Sequence, residues 1–306
     1  MSKTGTVISV VICTYNRADY IGEAMGSLYR QTLPKDQFEV ILVNNNSTDN
    51  TAEVCRQFIA AHPDASFIYL NENRQGASFA RNTGSTIALS PLLCFMDDDA
   101  VATPDYLERI VAFFVQHPDA GGLGGRIIPR YIPAEPKWMS HFVSSLVGNF
   151  DYSKTVAVFS PNKYPLESNM VIRKADFDAV NGFNTALPGV KGTLRIGGEG
   201  KEFFLKLKAL GRIIYYDPAI QVEHVVETKK LTPEYMYRVA SGIGRGEMVR
   251  TKAIGQWSYL KKIGEYIIKL GAAFILAAGY LLQGYPAKVK PVIQFRIDAL
   301  KGLLNH

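Results

Sequence analysis

Pro91-Leu92-Leu93-Cys94-Phe95-Met96-Asp97-Asp98-Asp99 carries an unbroken apolar run straight into three adjacent carboxylates. Such a run, ended abruptly by acids, reads as a buried strand of a parallel sheet whose carboxyl end opens where ligands sit in open α/β folds. Carboxylates packed side by side raise one another's pKa and repel, so the triplet calls for a cation. Hard oxygen ligands suit Mg²⁺ or Mn²⁺, ions that most often clamp phosphates. Capping, with Asp99 or Asp105 starting a helix after Pro104, explains the triplet alone equally well. The segments around it decide between the two.

On either side of the triplet the same strand-then-polar pattern recurs. Val7–Cys13 runs into Thr14-Tyr15-Asn16-Arg17, and Glu39–Val43 runs into Asn44-Asn45-Asn46-Ser47; Phe67–Leu70 and Gly125–Pro129 complete the strand-like set. Helical periods fall between them at Asp19–Arg30, Thr51–Ala61 and Ser78–Leu89. Strands alternating with helices predict an α/β fold: a mostly parallel central sheet flanked by helices, its polar strand ends converging on one crevice. After Pro129 the alternation loosens, and Tyr131–Tyr164, with its prolines and Trp138, reads as loops over the site. Regularity returns with a strand at Asn169–Arg173, a Gly-rich loop at Pro188–Gly198, a helix at Lys201–Leu210 and a strand at Ile213–Tyr216. From Thr232 onward the pattern is helical, broken near Gly284-Tyr285-Pro286.

Composition narrows the function classes. A chain of 306 residues that is 47% hydrophobic buries a sizeable core and is not disordered. Its three cysteines, Cys13, Cys55 and Cys94, lack paired spacing and predict neither a disulfide frame nor a zinc site. Neither a Gly-x-Gly-x-x-Gly after the first strand nor a P-loop appears, so a phosphate-bearing ligand would have to be held by metal. The net charge of +6 is concentrated late: residues 1–200 hold 17 Lys/Arg against 20 Asp/Glu, residues 201–306 hold 17 against 8. Within that basic third, Ile263–Leu282 is apolar except for Glu265 and Lys269 and is flanked by Lys261, Lys262, Lys288 and Lys290. Its uncharged core, Leu270–Leu282, falls short of the roughly 20 residues of a simple span. An interfacial or re-entrant helix making peripheral membrane contact through 255–306 is expected, with a buried helix or dimer interface as the alternative. A nucleic-acid partner is not expected. The run Val7–Cys13 lacks the features of a secretion signal, so a cytoplasmic body on the inner face of the membrane is expected.

Ser9-Val-Val-Ile-Cys-Thr-Tyr-Asn-Arg17, Val43-Asn-Asn-Asn-Ser-Thr-Asp49, Asn71-x-Asn-Arg-x-Gly76 with Ala80-Arg-Asn-Thr-Gly84, and Phe95-Met-Asp-Asp-Asp99 follow in this order. Together they resemble the inverting family 2 glycosyltransferases of GT-A fold, of the bacterial cell-envelope or exopolysaccharide type, over roughly residues 7–230. The resemblance implies transfer of a sugar from a nucleotide-diphosphate sugar to a glycan or lipid-linked acceptor with Mn²⁺ or Mg²⁺. It implies metal binding by Asp99, with Asp97, and ribose or sugar contacts by Asp97 or Asp98. Thr14, Tyr15, Arg17 and Asn44, Asn45 and Asn46 match nucleoside-side positions, and Arg74 and Arg81 match basic donor contacts. His224, in Gln221-Val-Glu-His-Val-Val, falls where many such enzymes close the metal shell. Gly182-Phe183-Asn184, the loop Pro188–Gly198 and Glu199-Gly-Lys-Glu-Phe-Phe204 resemble the acceptor-side segment, where Glu199 inherits the role of base and Glu202 is the fallback.

Two departures stand out. Asparagine occupies positions 44 and 45, where the family usually has an aspartate, and Gly200 stands where an aspartate usually follows the glutamate. They give footing to an alternative reading, a catalytically inactive nucleotide-sugar-binding or scaffolding subunit. The expected layout is a catalytic domain over 1–230, with a nucleotide-sugar half at 1–125 and an acceptor half at 126–230, followed by a basic helical extension at 231–306.

Overall fold

A computed structural model of the chain describes residues 5–187, 189–191, 194–196 and 198–305, with backbone alone at 189–191 and 194–196. The expected Pro188–Gly198 loop therefore lies partly outside the described residues, as do residues 1–4. Strand and helix alternate through β1 (Ile8–Thr14), α1 (Ile21–Tyr29), β2 (Phe38–Asn44), α2 (Thr51–Ala61), β3 (Phe67–Asn71), α3 (Ala77–Ile87), β4 (Leu92–Asp97), β5 (Ala100–Ala102) and α4 (Tyr106–Gln116). There follow β6 (Ala120–Ile132), α5 (His141–Ser144), β7 (Ala157–Val158), β8 (Asn169–Arg173), α6 (Lys174–Ala179), an antiparallel pair β9 (Gly189–Lys191) and β10 (Leu194–Ile196), α7 (Glu199–Ala209) and β11 (Ile213–Glu227). Three long helices close the chain: α8 (Pro233–Ile254), α9 (Gln256–Leu282) and α10 (Val289–Leu304). Two compact units result, one from the residues up to Ile128 with Phe150–Ala186 and Gly200–His224, the other from Pro129–Asn149, Leu187–Glu199 and Val225 onward.

The first unit is built on one sheet in the order β3-β2-β1-β4-β8-β6-β11-β5, with β7 added on β11. Strands β1 to β4 are mutually parallel where they pair, and β8 runs antiparallel to β4 and β6. Every residue of β2 and five of the six in β4 are buried, as strands covered by helices on both faces must be. Alternate residues serve opposite faces. Ile8, Val10 and Ile12 pack with Met25, Leu28, Leu107 and Ile110, whereas Val11, Ile41 and Val43 pack with Phe95, Phe183, Phe203 and Phe204. Fully burying each such side chain is worth about 1.5–3 kcal/mol. Because β1 pairs with β2 on one side and β4 on the other, the chain order reverses there, and a crevice opens at the strand ends.

The sheet's second half extends past the expected limits. β6 covers 13 residues where Gly125–Pro129 was expected, and β11 covers 15 where Ile213–Tyr216 was expected. The segment Ala120-Gly-Gly-Leu-Gly-Gly125 lacks the branched residues that favour strands, and pairing such as Gly122 with Ile172 and Gly124 with Met170 overrides that propensity. Tyr131–Tyr164, expected as loops, contains the end of β6, α5 and β7.

In the second unit α8 and α10 cross at backbone contact. A Cβ on Gly244 would lie 2.0 Å from the Ala299 carbonyl oxygen, and one on Gly302 would lie 2.0 Å from that of Ser241. Tyr259, Tyr266, Ala273 and Ala277 of α9 are buried, the first three packing with Val239 and Ala240 of α8 and Val292, Phe295 and Leu303 of α10. Residues beside them along α9, among them Ile267, Ile268, Phe274 and Ile275, are exposed, the last to 77%. A wholly buried helix is therefore not what forms. By length and composition α9 is apolar enough to cross a membrane, with a mean hydropathy of 1.5 over its most apolar window.

Candidate active site

The acidic triplet sits where the sheet changes direction. Asp97 ends β4 beside Cys13 of β1, and Asp98 and Asp99 form the turn into β5, both buried. β5 pairs antiparallel with β11 so that Ala100 lies opposite His224, and this register carries the imidazole to Asp99. His224 Nε2 is 3.0 Å from Asp99 Oδ1. One ligand atom each from Asp97, Asp99 and His224 lie within 4.8 Å of one another. Ser168 Oγ donates to Asp97 Oδ2 at 2.6 Å and fixes that carboxylate. The Arg17 guanidinium lies 3.5 Å from both Asp98 and Asp99, and the Tyr15 N–H points to Asp98 at 3.4 Å. Burial, then the charge of Asp99, push the Asp98 carboxyl up to about 7 against the pull of Arg17. Two hard carboxylate oxygens and one imidazole nitrogen, converging, with Asp97 held by Ser168, form a donor set that fits Mn²⁺ or Mg²⁺.

Asn44, Asn45 and Asn46 bond to neighbouring loops, Asn45 and Asn46 donating to backbone carbonyls. Asn45, 4% exposed, donates through Nδ2 to the carbonyls of Glu72 and Arg74, each at 2.8 Å, and accepts through Oδ1 from the Gly76 N–H at 2.7 Å. It thereby fixes the loop that enters α3. Asn44 donates to Tyr69 at 2.8 Å and accepts from the Ser47 N–H, and Asn46, in left-handed backbone, donates to the Asn73 carbonyl. Asn16, also left-handed, accepts from the Thr48 N–H at 2.7 Å and so clips the β1 loop to the β2 loop. Short amide side chains tolerate that conformation and bond locally. Thr14 is buried at the end of β1 opposite Asn44, and Tyr15 is about one-third exposed.

Arg74 is held by Glu72 through two contacts, at 2.9 and 2.7 Å, with its side chain 65% exposed. These bonds hold the Glu72 carboxyl down to about 2. Arg81 is buried in the first half of α3, 5.5 Å from the centre of the Phe183 ring.

Glu199 opens α7 and is 7% exposed, and it belongs to the second unit. Glu202 pairs with Lys206 at 2.8 Å, while its Oε2 is buried without a hydrogen-bond partner. Ser168 and Glu167 carry no signal in the sequence. They precede β8, and only the antiparallel pairing of Asn169 with Met96 brings the start of that strand to the end of β4.

Curated relatives share parts of the chain. Glycosyltransferase AglE of Haloferax volcanii is 37% identical over 112 residues, which are 37% of this chain and 36% of AglE. The glucosyl-dolichyl phosphate glucuronosyltransferase of the same organism is 24% identical over 220 residues, 71% of this chain and 68% of that one. Among solved structures, the mannosyltransferase PcManGT of Pyrobaculum calidifontis, in complex with GDP-Man and Mn²⁺, is similar over 99% of this chain and 89% of its own. That match has a TM-score of 0.68 at 20% identity, and it bears on the fold, which is the GT-A type. The family model "Glycosyl transferase family 2" matches residues 9–180, more than half of the sequence. This protein therefore belongs to glycosyltransferase family 2.

Proposed function

We propose that this chain transfers a sugar, with inversion, from a nucleotide-diphosphate sugar to a hydroxyl of a glycan or lipid-linked acceptor, and that a divalent cation is required. The convergence of Asp97, Asp99 and His224 at the reversal of the sheet carries this reading. These three residues would hold the cation, which supplies positive charge to the departing diphosphate. Arg81 and Arg74 contribute further positive charge on the donor side. Thr14, Tyr15, Arg17 and the Asn44–Asn46 segment form the nucleoside wall, with the asparagines shaping it through the backbone they fix. Asp98 faces the ribose or sugar. Glu199 is the first candidate to accept the acceptor hydroxyl's proton; Glu202, engaged with Lys206, is the second. Residues 1–125 serve the donor, 126–230 the acceptor, and 231–306 form the helical extension.

The exposed apolar face of α9 and the basic balance of the C-terminal third support peripheral contact with the inner face of a membrane. A lipid-linked acceptor suits that placement. The runner-up, a binding subunit without catalysis, is favoured by one observation, the absence of a carboxylate at Gly200.

Thermal unfolding with a panel of UDP- and GDP-sugars, with and without Mn²⁺, tests the proposal. A donor at 100 times its Kd stabilises the native state by about 2.7 kcal/mol. The expected result is a melting shift that needs both donor and Mn²⁺, is lost in Asp99→Asn, and is accompanied by donor turnover. A shift without turnover over a broad acceptor panel supports the runner-up, and a shift independent of Mn²⁺ refutes the metal assignment.

A further inference from the structure

Position 200 lacks a carboxylate, yet the space its side chain would enter holds one. Glu167 Oε1 accepts from the Gly200 N–H at 2.9 Å, in the first turn of α7. A Cβ built on Gly200 would lie 2.1 Å from that oxygen, 2.6 Å from Glu167 Cδ and 3.1 Å from Cγ. No real Cβ approaches that closely, so any side chain at 200 would evict the Glu167 carboxylate. Glycine at 200 and glutamate at 167 are two halves of one arrangement.

Glu167 is also tied to the acidic site. The next residue, Ser168, donates to Asp97 Oδ2 at 2.6 Å, and Asn169 pairs with Met96 at the end of β4. Consecutive Cα atoms are about 3.8 Å apart. The Glu167 backbone is therefore one residue from a direct contact with the Asp97–Asp99–His224 group. Its carboxylate is half-buried, and neither Lys nor Arg is among its described partners. Glu202, by contrast, is engaged by Lys206.

We propose that Glu167 supplies, from the β8 side, the carboxylate that position 200 lacks, and that it receives the proton of the attacking hydroxyl. This rests on the glycosyl-transfer reading above and gives Glu167, in place of Glu199, the role of base. In the step, the acceptor oxygen forms its bond to the anomeric carbon as its proton passes to a Glu167 oxygen. The bond from that carbon to the diphosphate breaks, and the diphosphate leaves with the electron pair. Water attacks by the same route in donor hydrolysis, so turnover can be read without knowing the acceptor.

The experiment compares Glu167→Gln, Glu199→Gln and the exchange Glu167→Gly with Gly200→Asp, using the UDP- or GDP-sugar that the wild-type chain hydrolyses fastest with Mn²⁺. Glutamine keeps an oxygen for the Gly200 N–H but takes up no proton, so the fold and the nucleotide-dependent melting shift should be unchanged. Turnover by Glu167→Gln should fall at least 100-fold with KM within threefold, the size of a lost general base, and Glu199→Gln should fall less. The exchange should recover turnover to within tenfold of wild type. Glu167→Gln retaining more than a third of wild-type turnover overturns the proposal, as does Glu199→Gln showing the larger loss. A wild-type chain that neither hydrolyses any donor nor shows an Mn²⁺-dependent shift overturns the transfer reading itself, a result separate from either of those.

Discussion

Asparagine at position 45 has a structural reason that a single isosteric change exposes. Asn45→Asp keeps the shape of the side chain and replaces its two N–H donors with a carboxylate oxygen. That oxygen would face the Glu72 and Arg74 carbonyls, each now 2.8 Å from Nδ2. Losing a buried hydrogen bond and stranding its acceptor costs about 1–3 kcal/mol each. The remaining oxygen still accepts from Gly76, and a charged acceptor strengthens that bond by about 1 kcal/mol. The balance is a loss of about 3 kcal/mol at neutral pH, equivalent to roughly 5 °C in Tm for a chain of this size. The sign of the pH dependence follows. Burial against two carbonyls raises the introduced carboxyl above its unfolded value, so the variant's folded state binds the proton more tightly and its deficit grows as pH rises from about 4. Below that, a protonated carboxyl regains one donor and the deficit shrinks. Urea unfolding at pH 5 and pH 8 measures both. A variant within 1 kcal/mol of wild type at pH 8, or a deficit that grows on acidification, would contradict this account of Asn45.

The helical unit offers two further tests. Gly244→Ala places a methyl against the α10 backbone and should cost about 3 kcal/mol, whereas Gly264→Ala, with open space around its Cβ, should be neutral or stabilising by about 0.5–1 kcal/mol. Both tryptophans, Trp138 and Trp257, lie in that unit, so fluorescence during urea unfolding reports on it directly. Replacing Ile267, Ile268 and Ile275 with serine should abolish co-flotation of the protein with vesicles rich in anionic lipid while leaving the melting temperature within a few degrees, since all three are more than half exposed. Unchanged flotation would remove the membrane reading of α9.

The parallel half of the sheet is legible in the sequence because its signals are local. Val7–Cys13, Glu39–Val43 and Leu92–Asp97 each combine a buried apolar run with a polar end, and the observed β1, β2 and β4 depart from those limits by one residue at most. Asp97, Asp99 and His224 are also nameable from sequence, and the structure brings them together. The roles of neighbouring side chains are not. Nothing local distinguishes an asparagine facing a ligand from one that braces a loop; that depends on where the Glu72–Gly76 backbone passes. The antiparallel half is hidden for the same reason. β5 is three residues, Ala-Val-Ala, whose strand character comes entirely from pairing with β11, and that pairing is what carries His224 to Asp99. Ser168 and Glu167 become visible only once β8 is seen to run back along β4.

The charge arrangement sets what the acidic cluster costs the fold. Of the three adjacent carboxylates, Asp98 and Asp99 share the Arg17 guanidinium, Asp99 meets the His224 imidazole, and Asp97 accepts from Ser168. Asp98 relieves part of the repulsion by holding its proton up to about pH 7. A carboxyl whose folded pKa is raised favours the native state at low pH, and that contribution is lost as pH climbs from the unfolded value near 4 through 7. The core on both faces of β1, β2 and β4 holds the strand ends that carry these acids. Selection for stability alone would replace one of these acids with asparagine, the residue that stands at the strand-end loop of β2. Acids gathered at β4 and amides gathered at β2 give the two loops different work. The β4 loop concentrates charge, and the β2 loop spends its polar groups on fixing backbone.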